Sequence, residues 1–166
     1  MTLSEKAYTI AEHAHRNQTY GNFPYTYHLY QVVDVATKLD ASEDVVIACI
    51  LHDILEDTSL SYNDLKNTFG EKIADIVFAV TDELGKTRAE RKRLTYPKIA
   101  ANKDAVYVKI CDRIANGSES KKNNQKLYEA YKSEHPEFIR ALGLDRAVIG
   151  TNLKKGVELL NKLFDE

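Results

Sequence analysis

The chain has 166 residues, 43% of them hydrophobic and 29% charged, which fits one globular domain with room for a core and excludes a disordered chain. Its formal net charge is -2, with lysines and arginines scattered among the acids, so no basic footprint marks a nucleic-acid partner. No apolar run approaches the roughly 20 residues that span a bilayer, and the opening MTLSEK lacks the charged-then-apolar layout of a secretory signal; the expectation is a cytoplasmic protein with no membrane partner.

Residues 3–18 predict a first helix, with Ala7, Ile10, Ala11 and Ala14 on one apolar face. The polar segment 19–24, bearing Gly21 and Pro24, predicts a loop. A second helix over 25–39 carries Val32, Val33, Val35, Ala36 and Leu39, with His28 in its opening turns. Ser42 is the expected N-cap of the third, with Glu43 and Asp44 in its first turn, where the helix dipole favours acids; this helix is read as continuing through 48–58. Ser61 caps a short helix to about Phe69, stopped by Gly70, and Ile73, Ile76, Val77 and Val80 mark another that ends near 81–83.

After a loop opened by Gly85, residues 88–101 form a strongly charged helical pattern interrupted by Pro97. The apolar stretch 105–115 is rich in β-branched residues, but without partner strands it reads as a buried helix. The polar 116–120 predicts a break, and 126–131, 136–142 and 152–164 predict three more helical pieces. No repeat, low-complexity tract or linker divides the chain, so the fold class expected is all-α in a single domain. Cys49 and Cys111 sit in apolar segments far apart in sequence and read as reduced core thiols rather than a disulfide.

One stretch stands out. The apolar run 45–51 ends in His52, Asp53, Glu56 and Asp57, and burying such groups is costly without compensation. On one helix, His52 lies over Glu56 and Asp53 over Asp57, which aims an imidazole and three carboxylates at one region. A divalent cation would resolve the repulsion, and imidazole with carboxylate suits Mn, Fe, Co or Zn better than Ca or Mg. The best further ligand candidates are His28 and Asp112, each flanked by apolar helix residues; an isolated histidine in such a place is more often structural. Arg88, Arg91, Lys92 and Arg93 form the one dense basic cluster. Either it is a solvated face balanced by Glu90 and Glu83, or one or two of its members face an anion, since helical spacing cannot put all four on one side.

With His28, then HD at 52–53, ED at 56–57 and a distant Asp112, the chain resembles the HD-domain metal-dependent phosphohydrolases, in the branch holding the hydrolase domains of RelA/SpoT proteins and small alarmone hydrolases. The matching stretches lie over about 11–116: AHRNQ (14–18), PYTYH (24–28), LHDILEDT (51–58), FG (69–70), VTD (80–82), ERKRL (90–94) and KICDRIAN (109–116). The tail at 131–138 is similar to compact stand-alone members. The resemblance implies a single-domain helical bundle over 1–166, with a helical C-terminal extension over 121–166 and no length left for a synthetase or regulatory domain.

It further implies one divalent metal, most often Mn2+ with Fe2+, Co2+ or Zn2+ as alternatives, held by His28, His52, Asp53 and Asp112. Glu56 and Asp57 would serve the attacking water and proton transfer, and Asn116 would help hold a phosphorylated nucleotide. The family reaction removes the 3′-pyrophosphate from guanosine 3′,5′-bis(diphosphate) or its pentaphosphate. The chain departs from the family after Gln18, where Thr19, Tyr20 and Gly21 replace a basic pair that contacts the nucleotide. The residues expected on the substrate side are therefore Arg16, Tyr20, Asn116 and Arg91, with Tyr20 or Phe23 stacking on a base in place of the missing arginine. The alternatives are an HD phosphohydrolase for another nucleotide phosphoester and a catalytically idle nucleotide-binding module; six costly polar groups favour an enzyme over the idle form.

Overall fold

Short polar side chains set the helix starts. In the computed structural model, which describes residues 1–146 and 149–165, Thr2 and Ser61 close capping boxes with Glu5 and Asp64 at the heads of α1 (Leu3–Ala14) and α5 (Tyr62–Phe69). Ser42, Thr87, Asn102 and Asn124 accept backbone N–H bonds at the heads of α3 (Glu43–Leu51), α7 (Arg88–Ala100), α8 (Lys103–Asn123) and α9 (Gln125–Ala141). Each of these bonds satisfies an amide that the first turn leaves open. The other helices are α2 (Thr26–Lys38), α4 (Ile54–Asp57), α6 (Glu71–Val80) and α10 (Thr151–Asp165). The fold is all-α, as the periodicities predict.

Helix α3 is apolar on every side, and Val45 and Ile47 through Leu51 are all buried, the pattern of a helix surrounded by others. It packs against α1, α2, α6 and α8, while α8 also touches α2, α6, α7, α9 and α10. Each fully buried Ile or Leu here contributes roughly 1.5–3 kcal/mol. The consequence for function is positional. The crossing of α2, α3 and α8 fixes where the C-terminal end of α3 meets the middle of α8.

Outside the 52–53 corner, α7 runs unbroken through Pro97 where an interruption is expected, and the described residues differ further from the sequence reading in three places. The loop expected at 19–24 is a small antiparallel hairpin, β1 (Thr19–Tyr20) and β2 (Phe23–Pro24), with Tyr20 paired to Phe23 and the turn made by Gly21 at φ +58. The break expected at 116–120 is absent, because α8 runs through to Asn123. Gly117 is there for packing: an added Cβ would lie 2.8 Å from Leu163 Cδ2 and 2.9 Å from Phe164 Cζ, so only glycine lets α10 approach. The two pieces expected at 126–131 and 136–142 are one helix, α9, with Pro136 inside it. Pro136 is exposed, where water can take the backbone bond that proline cannot make. Cys49 and Cys111 are free and buried.

The Gly117 contact gives a direct test. Gly117→Ala gains helix propensity but forces α8 from α10, and overpacking of this kind destabilises by about 1–3 kcal/mol. Urea unfolding of the variant is expected to show that loss, read as a lower midpoint with an unchanged slope.

Candidate active site

Neighbouring side chains on an unbroken helix diverge by about 100°, so two adjacent residues cannot aim at one point. Helix α3 escapes this by stopping at Leu51. His52 stays near helical values (φ -59, ψ -29), while Asp53 leaves them (φ -100, ψ 1) and starts α4. The turn brings His52 Nε2 and Asp53 Oδ2 to 3.0 Å. The continuous helix predicted through 58 is thus corrected: the register between His52 and Glu56 is interrupted, whereas the Asp57 amide still bonds the Asp53 carbonyl at 3.0 Å.

His28 from α2 and Asp112 from α8 meet the same corner. His28 Nε2 lies 3.2 Å from Asp112 Oδ1, 3.3 Å from His52 Nε2 and 3.9 Å from Asp53 Oδ2. His52 Nε2 is 3.4 Å from Asp112 Oδ1. His28, His52 and Asp112 are buried. The supporting bonds are specific. The His52 Nδ1–H donates to the Cys49 carbonyl at 2.7 Å, which fixes the tautomer and turns the Nε2 lone pair inward. Asp53 accepts from the Tyr25 hydroxyl, and Asp112 accepts from Asn116 Nδ2 at 2.7 Å and Lys109 Nζ at 3.2 Å.

Burial by itself disfavours every charge here, but the mutual attraction is larger. Asp53 and Asp112 raise the His52 pKa well above its usual range against that burial, and Lys109 with the two imidazoles holds Asp112 well below the usual carboxylate range. The corner therefore demands positive charge. Two imidazole nitrogens and two carboxylate oxygens converging this closely form a donor set that fits a divalent cation of the Mn, Fe, Co or Zn type. His28, His52 and Asp53 each offer a ligand atom within 4.8 Å of the others.

Glu56 and Asp57 follow on α4. Glu56 accepts from the Asp82 amide at 3.3 Å, and partial shielding from water, together with the charges of Asp82 and Asp53, raises its pKa. Asp57 Oδ2 accepts from Gln18 Nε2 at 2.9 Å, and Gln18 Oε1 is held by His15 Nδ1 at 2.7 Å.

A recess of about 90 Å3 opens beside Asp112, lined by Arg88, Lys92, Lys109, Arg113, Asn116 and Tyr131. Lys92 falls to about pKa 8, first because of the Lys109 charge, then burial, Arg88 and Arg113. Arg88 and Arg113 share the Glu134 carboxylate at 2.6 and 2.8 Å. Of the basic cluster in 88–93, α7 brings Arg88 and Lys92 to the recess, four apart on one face. Arg91 does not line the recess and donates to the Gly85 carbonyl at 3.2 Å, so of the four it is Arg88 and Lys92 that stand beside Asp112. Lys109 and Arg113 were given no role from sequence, since they are embedded in an apolar helix; their signal was the spacing 109, 112, 113 and 116 around Asp112.

A larger cavity of about 800 Å3 adjoins, lined by Tyr20, Phe23, Tyr27, Asn116, Glu119 and Tyr131 among others. Phe23, 47% exposed, stacks on Tyr27 at 4.2 Å. Tyr20 instead lies flat on His28 at 4.7 Å and donates to Asn116 Oδ1 at 2.8 Å. Arg16 is exposed, donates to the His13 carbonyl at 2.8 Å, and lines a different cavity with Gln18 and Asp57.

A family model described as an HD domain matches residues 7–137. A guanosine-3′,5′-bis(diphosphate) 3′-pyrophosphohydrolase of Drosophila melanogaster is 32% identical over 108 residues, covering 61% of this chain and 60% of that protein. A protein of the same name from Aquifex aeolicus is 32% identical over 118 residues, covering 68% of this chain and 17% of that protein. The chain thus spans less than two thirds of the length of either relative. The solved structure of a metazoan SpoT ortholog that hydrolyses ppGpp superposes with a TM-score of 0.80 at 24% identity, covering 98% of this chain and 95% of that one. A Listeria monocytogenes protein gives 0.67 at 24%, covering 86% and 97%. At that identity the likeness is one of fold.

The Glu134 bridge across the recess has a pH signature. Its hydrogen bonds from Arg88 and Arg113 outweigh burial and lower its pKa to about 2. A depressed carboxylate contributes stability above its unfolded value of about 4.3 and loses it as pH falls through the folded one. The stability gap between the native chain and Glu134→Gln is therefore expected to be constant near neutrality and to shrink between about pH 4.3 and pH 2, measured by urea unfolding across that range.

Proposed function

This chain belongs to the HD-domain family, and on that premise we propose that it is a divalent-metal-dependent phosphohydrolase of a phosphorylated nucleotide, with guanosine 3′,5′-bis(diphosphate) as substrate and 3′-pyrophosphate as leaving group. The observation that carries this reading is the convergence of His28, His52, Asp53 and Asp112 beside a recess of four cations. His28, His52, Asp53 and Asp112 would hold the metal, Mn2+ by first choice with Fe2+, Co2+ or Zn2+ as alternatives. When bound it supplies Lewis acidity to a phosphoryl oxygen and lowers the pKa of water.

The chain's own groups do the rest. Glu56, with its raised pKa, is better matched to accept the proton of the attacking water than an ordinary carboxylate, and Asp57, anchored by Gln18, orients that water. The water oxygen bonds to phosphorus, the bond from phosphorus to the ribose 3′ oxygen breaks, and that oxygen takes up the proton that Glu56 accepted from the water. Arg88, Lys92, Lys109 and Arg113 neutralise the departing diphosphate. Asn116 lines both the recess and the larger cavity, placing its amide between phosphate and nucleoside. The Phe23–Tyr27 stack offers an aromatic face to the base. No helix among the described residues is long and apolar enough to cross a membrane, and the reading places the enzyme with its nucleotides in the cytoplasm.

A second reading, another nucleotide phosphoester on the same metal, draws on Thr19 and Tyr20 standing where alarmone hydrolases carry a basic pair. A panel of ppGpp, pppGpp, 5′-mononucleotides and cyclic nucleotides with Mn2+ separates the two. Pyrophosphate from the alarmones alone supports the first, orthophosphate from monophosphates supports the second, and binding without turnover contradicts both. Within the first, Asp53→Ala is expected to lose the metal, measured by metal content after gel filtration. Glu56→Gln is expected to keep the metal and lose about 10²–10⁴ in kcat; full turnover in that variant would remove Glu56 from the proton path.

A further inference from the structure

The two histidines of the corner are held in different ways. His52 has its ring fixed through Nδ1–H to the Cys49 carbonyl at 2.7 Å. His28 has no such tie: its Nδ1 is buried with no hydrogen-bond partner among the described residues. What contacts its ring is aromatic. Tyr20 lies on it nearly parallel, 4.7 Å between centroids and 13° between planes, while Tyr25 meets it tilted at 5.7 Å and 60°.

The Tyr20 hydroxyl is engaged as well. It donates to Asn116 Oδ1 at 2.8 Å, and Asn116 Nδ2 donates to Asp112 Oδ1 at 2.7 Å. One side chain thus touches His28 with its ring and reaches Asp112 through a single amide. The hairpin makes this possible. Pairing of Tyr20 with Phe23 delivers one aromatic to the histidine and leaves the other on Tyr27 at the cavity mouth. Tyr25 and Tyr27 also pack against the Tyr20 ring, at 6.4 and 6.2 Å, so rings of the protein flank it on several sides.

We propose that Tyr20 is a positioning residue for the metal ligands, orienting His28 by stacking and Asp112 through Asn116, rather than a residue that stacks on the nucleotide base. It stands as an alternative to the expectation that Tyr20 substitutes for the missing arginine, and it rests on the metal reading above. Groups that orient metal ligands typically carry 10–100-fold in metal affinity, so the brace predicts a change in cation binding. A base-stacking residue would instead change the KM of the nucleotide and leave cation binding alone.

The experiment is calorimetric titration of Mn2+ into the nucleotide-free native chain and its variants, with nucleotide KM measured separately at saturating Mn2+. Tyr20→Ala is expected to weaken Mn2+ binding about 10-fold or more while leaving KM within about twofold. Tyr20→Phe keeps the stack and loses the tether, so it is expected to weaken binding by about threefold and to add nothing in an Asn116→Ala background. Tyr20→Ala that binds Mn2+ like the native chain, or raises only KM, overturns the proposal. Should Tyr20→Ala lose its helical circular dichroism, Tyr20→Phe decides, and native affinity in that variant overturns the tether. A native chain that binds none of Mn2+, Fe2+, Co2+ or Zn2+ overturns the metal reading itself, an outcome distinct from failure of the brace.

Discussion

Two imidazoles and two carboxylates, with each imidazole Nε2 within 4 Å of an oxygen of both acids, cannot share a largely buried corner without added positive charge. That constraint organises the rest of the structure. Asp112 sits in the middle of a helix whose neighbours Ile110, Cys111 and Ile114 are buried, where an uncompensated carboxylate would be strongly destabilising. Its compensation comes from every side: Lys109 on the same helix, Asn116 one turn on, and His28 and His52 across the α2 and α3 interfaces. A cation of charge two placed among them would take the place of the proton that Asp53 and Asp112 hold on His52. The core around α3 and α8 acts as the rigid frame that keeps the four side chains converged.

The same electrostatic logic divides the surroundings. On the α7 side, Arg88, Lys92, Lys109 and Arg113 crowd a small recess, and their mutual repulsion lowers Lys92 to about pKa 8. Glu134 and Asp82 offset part of this charge; a bound phosphate would offset the remainder. On the hairpin side the chemistry turns aromatic, with Tyr20, Phe23 and Tyr27 contributed by β1, β2 and the first turn of α2. The cationic recess and the aromatic cavity thereby stand as two separate walls that both include Asn116.

Much of this was legible from residue order. The all-α class, the Ser42 and Ser61 caps and the Gly70 stop follow from local chemistry, and the structure has them. His28 and Asp112 stand out as ligand candidates by their apolar flanks, but that all four meet at one metal follows only from the family resemblance, because spacing within one helix says nothing about which helices cross. What escaped the sequence was tertiary in origin. The polar string at 116–120 reads as a break, yet Gly117 is a contact surface for Phe164 and Ser120 is buried. The helix break at Asp53 was hidden because local propensity favours continuity, while convergence on one point requires a turn. Arg91 and Lys92 are indistinguishable as letters, and only the rotation of α7 shows that Arg91 bonds the Gly85 carbonyl while Lys92 reaches Asp82.

Anomalous diffraction from crystals grown with Mn2+ tests the proposed seat for one cation among four side chains most directly. A single strong peak at the manganese edge is expected, within coordination distance of His28 Nε2, His52 Nε2 and carboxylate oxygens of Asp53 and Asp112. A corner without anomalous density, or a peak held by Glu56 and Asp57 instead, would contradict it.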